Sequence, residues 1–277
     1  MSTNEKIKSD SNDTIIKEHY KIQAEKHQDS ALSTMEDPII RQKEVELIMN
    51  FFSLPLIKEK VKEVLEIGCG NGYTLNLLKQ KFSNYNFTGM DFSEDLLKIA
   101  NNRNLDNVKL CQGDARNLQF ADESFDMIFT ERCIINLLTW EEQQMALKEM
   151  NRILRKGGYI LFMESFTDGY ENLNKARTEL GLAAIAMPHH NLYFNKETFE
   201  PFVSKLFKII DPMEIGAANE NILNRNFLSS HYFVARVMHP LLTKGDPFLK
   251  NTEFVKFYSF LPPSGCYAAI QTYFLKK

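Results

Sequence analysis

The segment Lys62–Thr74, KEVLEIGCGNGYT, constrains this chain more than any other. A short apolar run ends in Ile67, and the glycines Gly68, Gly70 and Gly72 follow at once. A helical pattern of leucines and lysines begins directly after them, which predicts a buried strand, a tight turn and a helix start. Because glycine permits positive φ and carries no side chain, a ligand can lie against this backbone. The first N–H groups of the helix would then point at that ligand.

A second predicted strand, Asn86–Met90, leads into Asp91, about 20 residues after the glycine turn. An acidic side chain at this spacing is placed to accept hydrogen bonds from two vicinal ribose hydroxyls. A dinucleotide site would have its third glycine one position later. Here Glu66 precedes the turn, and a carboxyl group suits a cationic or amino-bearing ligand better than a pyrophosphate. An ordinary strand-to-helix turn is the alternative interpretation of the glycines.

Five motifs in a fixed order resemble those of the class I S-adenosylmethionine-dependent methyltransferases. They are VLEIGCGNG, the strand that ends in Asp91, GDARNLQF, FDMIF and LRKGGYILFME. The resemblance covers about residues 60–165, and the order of the motifs makes it specific although each motif alone is weak. It implies an α/β fold: a Rossmann-like seven-stranded sheet with helices on both faces. It also implies S-adenosyl-L-methionine as cofactor and S-adenosyl-L-homocysteine as product.

The resemblance further implies which residues position the cofactor. In the family, an acid at the place of Asp114 accepts from the adenine amino group, and Glu131 lies beside the methionine moiety. A simple loop cap is the alternative for Asp114. The predicted cofactor-binding residues are Glu66, Gly68, Cys69, Gly70, Asn71, Asp91, Phe92, Asp114, Ala115 and Glu131.

The domain organisation follows from where the core pattern is interrupted. Apolar periodicity predicts two amphipathic helices before the first strand, and the core pattern pauses after strands five and six. We expect a disordered tail at 1–12, an N-terminal helical cap at 13–60, and one Rossmann-like domain at 61–277 with substrate-binding inserts at about 165–194 and 217–263. Short strands are predicted at Phe207–Ile210 and Met213–Ile215, and a closing strand at Cys266–Leu275.

Two segments resemble a narrower bacterial subgroup associated with surface-polysaccharide biosynthesis. They are HQDSALSTMEDPIIRQKEVE and the Pro-x-His-Asn-x-Tyr pattern that begins at Pro188. This resemblance implies that the N-terminal segment and the first insert face the methionine end of the cofactor or the substrate. The predicted substrate-binding residues are Tyr20, Arg41, Arg132, Asn191 and Tyr193. A packing role for the N-terminal helix and an ordinary ion pair for Arg132 are the alternatives.

Methyl transfer from a sulfonium is an in-line displacement, so the protein must align donor and acceptor. An alcohol acceptor also needs a base, and histidine is the usual base near neutral pH. We predict His190 for this role, with His189 as the second candidate; the alternative is that His190 is structural. An acceptor that already carries an anionic oxygen needs no base, and arginines such as Arg41, Arg132 or Arg225 would then matter more.

Composition excludes several other classes of protein. The chain has 277 residues with 44% apolar content and a net charge of −3, unlike the strongly basic domains that bind nucleic acids. No apolar run is long enough to span a membrane, and no secretory signal is visible. The four cysteines form no metal-binding pattern, which predicts reduced thiols in a cytoplasmic protein without a metal. The oligomeric state is not encoded in any visible pattern.

The sequence therefore predicts a methyltransferase of small molecules. The predicted reaction is O-methylation of a sugar, nucleotide-linked or phosphate-type intermediate of surface-polysaccharide biosynthesis. Methylation of a quinone or another small metabolite is the alternative, and a non-catalytic protein that binds S-adenosylmethionine is a further one.

Overall fold

A computed structural model describes residues 3–219, 221–246, 249 and 251–277, with side chains from residue 12 onward. A seven-stranded sheet forms its centre, in the order β3-β2-β1-β4-β5-β7-β6. The strands are β1 Glu63–Ile67, β2 Asn86–Asp91, β3 Val108–Gln112, β4 Phe125–Glu131, β5 Leu154–Ser165, β6 Lys208–Ile209 and β7 Ile270–Lys276. Strands β1 to β5 are parallel, whereas β7 runs antiparallel to β5 and β6. The predicted fold class is confirmed.

The chain direction makes one edge of this sheet the place for a ligand. From β1 the strand order runs outward to β2 and β3 on one side, and to β4 and β5 on the other. The connections that follow β1 and β4 therefore leave in opposite directions. Open parallel sheets bind ligands in the crevice beyond the carboxyl ends of the strands at such a switch point.

Helices cover both faces of the sheet. The helices that follow the strands are α4 Tyr73–Lys81, α5 Glu94–Asn102, α6 Trp140–Ile153, α7 Thr167–Glu179 and α8 Lys196–Val203. Successive strand residues point to opposite faces. Val64 of β1 accordingly packs in one buried cluster with Leu75 of α4, whereas Leu65 packs in the other with Leu147 of α6. Two apolar cores enclose the sheet.

Three helices precede the sheet: α1 Thr3–His27, α2 Pro38–Ser53 and α3 Pro55–Lys60. Helix α1 begins at Thr3, so residues 3–12, which we predicted as part of a disordered tail, are helical; residues 1 and 2 lie outside the described part. Each residue added to an existing helix gains one backbone hydrogen bond, so the amphipathic turns after Asp13 extend readily toward the N-terminus.

The two segments that we predicted as inserts contain further helices. The first contains α7 and the loop that leads to α8. The second contains α9 Ser229–Phe233, a π-helical turn Val234–Met238, α10 His239–Leu242 and α11 Glu253–Ser259. The predicted strand Met213–Ile215 is wrong: Pro212–Ile215 forms a 3₁₀ turn, because Asp211 and Glu214 make a reciprocal capping box. No helix of the described residues is long and apolar enough to cross a membrane.

A buried hydrogen-bonded chain ties the second insert to α2. Nε2 of His231 lies 3.0 Å from Oδ2 of Asp37, and Nδ1 lies 2.7 Å from Oγ of Ser259. These residue types occur in hydrolase triads, but His231 and Ser259 are fully buried, and the Ser259 hydroxyl donates to the carbonyl of Val255. Because no substrate can reach the serine, we interpret the chain as a structural link.

Phe52 of α2 should be a large contributor to stability. Its buried ring packs against Phe82, Tyr85, Phe87 and Phe129, with centroid distances of 5.7, 5.6, 6.0 and 5.8 Å. Replacement Phe52→Ala should lower the free energy of unfolding by about 3–5 kcal/mol in urea denaturation, because it leaves a cavity in the core. Phe257→Ala is the matched control: that ring is 67% exposed, and its loss should change stability by less than ~0.5 kcal/mol. Equal effects of the two changes would contradict this packing.

Candidate functional site

A cleft lies at the carboxyl ends of β1 to β4, partly covered by α1. Its empty volume is about 950 Å³, part of which is open to solvent. All ten residues that we predicted to bind the cofactor line this first cavity. The part of the cavity that faces α1 is lined by Asp13, Ile16 and Tyr20.

The backbone of the glycine turn, which carries no side chains at its glycines, lines one side of this cavity. Gly68 has a φ of +83°, and a Cβ added there would lie 2.5 Å from the side chain of Cys133, so only glycine fits. A Cβ added at Gly70 would meet only methyl groups of Leu96 and Thr34, at 4.0 Å. The backbone at Gly70 is therefore accessible to a ligand.

Asp91 holds the turn in place. Its Oδ2 accepts from the Gly70 N–H at 2.7 Å, and its Oδ1 accepts from the Ser93 N–H at 2.8 Å. Burial raises the pKa of this carboxyl to about 6, against the opposing effect of these N–H groups. A carboxylate offers about four lone pairs, so further acceptor capacity remains for a ligand's hydroxyls.

Asp114 is oriented by Arg116, a residue that the sequence did not single out. The Arg116 guanidinium donates to Oδ2 of Asp114 at 2.7 Å, and pairs at the same distance with Asp13 of α1 and Glu142 of α6. Arg116 also lines the first cavity. Its position two residues after Asp114 was the only signal in the sequence. The ion pair with Asp13 also fixes α1 over the cleft.

Glu66 presents a buried carboxyl group to the first cavity. It is 2% exposed, and its Oε2 makes no hydrogen bond within the described residues. Burial raises the pKa of Glu66 well above its ordinary value, and the neighbouring Glu131 and Asp91 raise it further, while Arg41 lowers it. A buried oxygen without a partner is costly, so this geometry favours a ligand that donates a hydrogen bond here.

Arg41 and Arg132, which we predicted to bind substrate, are paired within the protein. Arg41 donates to Glu131 and, at 2.7 Å, to Oγ1 of Thr74. Arg132 makes two contacts with Glu44, at 2.7 and 3.2 Å. Burial lowers the pKa of Arg132, but Glu44 and Glu131 more than offset it and keep the pKa above the ordinary value. Neither guanidinium offers uncompensated charge to a substrate.

A second cavity, with an empty volume of about 800 Å³, adjoins the first. Tyr20, Thr34 and Arg132 line both. Its other walls come from the N-terminal segment, the turn after β4, the two inserts and the start of β7. The residues are His19, Gln23, Met35, Glu36, Ile135, Ser165, Pro188, His190, Asn191, Tyr193, Tyr232 and Ile270. The structure thus brings Tyr20, His190, Asn191 and Tyr193 together in one cavity.

His190 lies in this second cavity, whereas His189 is exposed and does not line it. The His190 ring stacks on His19 at a centroid distance of 3.7 Å. Burial lowers the pKa of His190 to about 4, and the neighbouring His19 and His189 contribute to the shift. Its Nδ1 is buried without a hydrogen-bond partner in the described residues. At neutral pH the ring is neutral, so a nitrogen lone pair is available.

Asn136 connects the two cavities and was also missed by the sequence. Its Oδ1 accepts from the Tyr20 hydroxyl at 2.7 Å, and its Nδ2 donates to Oδ1 of Asn191 at 2.8 Å. His19 and Tyr232 are two further lining residues that we did not predict. No local pattern marks these positions, because the contacts join elements distant in the chain.

Among the described residues, no group of three or more His, Cys, Asp or Glu side chains is arranged to hold a metal ion.

Comparison with known proteins agrees with this geometry. Residues 64–158 match the family described as "Methyltransferase domain". The matched segment runs from β1 into β5. A demethylmenaquinone methyltransferase of Staphylococcus aureus (strain MRSA252) is 38% identical over 109 residues, which cover 38% of this chain and 44% of that protein. The match therefore spans less than half of the relative's length.

A solved structure supports the fold as a whole. The PH0226 protein from Pyrococcus horikoshii OT3 superposes with a TM-score of 0.51 at 20% identity, over 64% of this chain and 86% of that one. At this identity the likeness concerns the fold alone.

The first cavity fits S-adenosylmethionine, the cofactor of such domains. The exposed backbone at Gly70 leaves room for the ligand, and Asp91 is placed for ribose hydroxyls. The unpartnered Oε2 of Glu66 suits an amino group. Asp114 lines the same cavity and is the predicted partner of an adenine. The individual roles of these residues stay predictions.

Replacement Asp91→Ala should weaken binding of S-adenosylhomocysteine at least about tenfold, because hydrogen bonds to a charged group are lost. Isothermal titration measures this directly. Since the pKa of Asp91 is about 6, wild-type affinity should fall as the pH drops below that value and the carboxylate is protonated. In the variant this pH dependence should vanish. Asp95→Ala, on the exposed side of α5, is the control; an equal loss there would contradict the assignment.

Proposed function

We propose that the protein transfers a methyl group from S-adenosylmethionine to a small molecule bound in the second cavity. The observation that carries the proposal is the junction of the two cavities at Tyr20, Thr34 and Arg132. A donor in the first cavity and an acceptor in the second can meet there. When bound, the cofactor supplies a methyl group already activated by the positive sulfur.

The residues of this chain would then act mainly by placement. The glycine turn and Asp91 hold the donor, and the walls of the second cavity hold the acceptor, so that the two reacting atoms are aligned. α1 covers the junction and limits the access of water. The proton of a hydroxyl acceptor would pass to a base or to solvent.

The charges of the second cavity favour a neutral acceptor. Arg132 is the only lysine or arginine among its described lining residues, and Glu44 already compensates it. The imidazole of His190 is neutral at pH 7, because burial and its neighbours lower its pKa to about 4. An anionic phosphate would find no uncompensated cation here, which argues against the phosphate-type acceptors that the sequence suggested.

Two neutral acceptor classes remain. A sugar hydroxyl is suggested by the polysaccharide resemblance and by polar lining groups such as Asn191 and Gln23. A quinol is suggested by the relative named demethylmenaquinone methyltransferase. A base with a pKa of about 4 accepts a proton poorly from an aliphatic alcohol. It accepts a proton less poorly from a phenol-like hydroxyl, because the pKa of that hydroxyl is about 10. We therefore favour the quinol class.

Methyl transfer is tested with radiolabelled S-adenosylmethionine and two acceptors, a water-soluble naphthoquinol and a neutral monosaccharide. Labelled quinol is the expected product. Labelled sugar would instead support the polysaccharide proposal. Binding of S-adenosylhomocysteine without turnover on any acceptor would favour a non-catalytic binding protein, and no binding by folded protein would overturn the proposal.

If His190 accepts the acceptor's proton, His190→Gln should lower kcat about 10²- to 10⁴-fold with little change in cofactor affinity. The wild-type rate should decline as the pH falls toward about 4, where the imidazole becomes protonated, and this limb should be absent in the variant. His189→Gln, at the exposed neighbour, should keep most of the activity. Near-normal turnover of His190→Gln would contradict the assignment of His190 as the base and would leave it a structural role.

A further inference from the structure

We propose that Asn136 is a positioning residue that couples α1, above the cofactor, to the loop 188–193 in the acceptor cavity. Through it, the presence of a cofactor would set the position of the loop before an acceptor arrives. The proposal rests on the proposed function, and it adds a route by which one site prepares the other.

Helix α1 depends on polar contacts for its place over the cleft. Of its described apolar side chains, only Ile16 and Ala24 are buried, whereas Ile15 and Ile22 are 36% and 53% exposed. With so little apolar area buried, the helix should open more easily than the core. The Tyr20 hydroxyl and the ion pair of Asp13 with Arg116 are contacts that hold it closed.

Asn136 itself is firmly held. It ends the 3₁₀ turn Ile134–Asn136 that follows β4. Three successive backbone N–H groups, those of Cys133, Ile134 and Ile135, donate to the buried carboxyl of Glu164 at 3.2, 3.1 and 3.3 Å. The turn can therefore serve as a fixed point between α1 and the loop 188–193.

The side-chain amide of Asn136 makes hydrogen bonds through both its oxygen and its nitrogen. The oxygen accepts from Tyr20 on α1, and the nitrogen donates to the Asn191 side chain and, at 3.1 Å, to the carbonyl of His190. An acceptor on one side and a donor on the other are both required, and asparagine supplies them within one rigid group. Neither Asn191 nor His190 lines the first cavity, so the cofactor has no direct contact with this loop.

A ligand in the first cavity touches Tyr20 and stabilises the closed position of α1. Closure fixes the Tyr20 hydroxyl, which in turn favours the Asn136 orientation that binds the loop. The ligand thereby shifts the loop population toward the arrangement seen here, since it binds that state better.

Hydrogen exchange with mass spectrometry tests this coupling, with S-adenosylhomocysteine as the probe. In the wild type, saturating probe should slow exchange in α1 and also in residues 188–193, the latter roughly tenfold, the equivalent of about one hydrogen bond. The amides of Asn191 and Leu192 report on the loop, since they donate to the carbonyls of Pro188 and Ile135.

Two variants cut the connection on opposite sides. Tyr20→Phe removes the α1 side, and Asn136→Asp keeps the oxygen but removes both donors to the loop. With the probe at a concentration that titration shows to saturate each variant, α1 should still be slowed, whereas 188–193 should lose most of its slowing; the direct stack of His19 on His190 accounts for any remainder. Tyr170→Phe is the matched control, because it deletes a tyrosine hydroxyl bonded at 2.7 Å to Ile185 of the same insert without touching α1. That variant should keep the coupling.

The outcomes separate the two proposals. Probe binding that slows exchange in α1 but not in 188–193 of the wild type would overturn the coupling and leave the methyltransferase proposal intact. Loss of the loop effect in Tyr170→Phe as well would reduce Asn136 to a structural role. Failure of the folded wild type to bind the probe would overturn both. If Asn136→Asp does not fold, Tyr20→Phe alone decides.

Discussion

The close approach of β4 to the glycine turn is the constraint on which the site depends. Cys133, just after β4, occupies the space into which any side chain at residue 68 would project. Residue 68 must therefore be glycine, and its backbone packs directly against the Cys133 side chain. This contact brings the ends of β1 and β4 together, and the crevice between them becomes the first cavity.

Charge compensation then decides what this crevice can bind. Glu44, Glu131, Arg41 and Arg132 form a nearly buried cluster in which opposite charges balance. Burying two charges away from water is costly unless they pair well. These arginines therefore pair with the neighbouring carboxylates rather than with a substrate. Glu66 stands apart, because its buried oxygen has no partner among the described residues. The site thus favours a ligand group that donates a hydrogen bond beside the glycine turn, and a neutral ligand in the second cavity.

The second cavity is assembled from segments that are remote in sequence. Tyr20 from α1, His190 from the first insert and Tyr232 from the second meet in one cavity. The chain Asp37–His231–Ser259 fixes the second insert to the start of α2, and Asn136 connects α1 to the first insert. The segment that matches the methyltransferase family lines much of the first cavity, while the segments around it shape the second.

The sequence by itself determined the glycine turn and the acidic residue beside it. Strand and helix bounds such as Tyr73–Lys81 and Val108–Gln112 follow from local periodicity, and the glycines with Asp91 follow from backbone chemistry. Tertiary structure alone decided the rest. Arg132 and Glu44 are 88 residues apart, and Tyr20 and Asn136 are 116 apart. No local pattern encodes such pairs, because a side chain's partner depends on how distant elements pack.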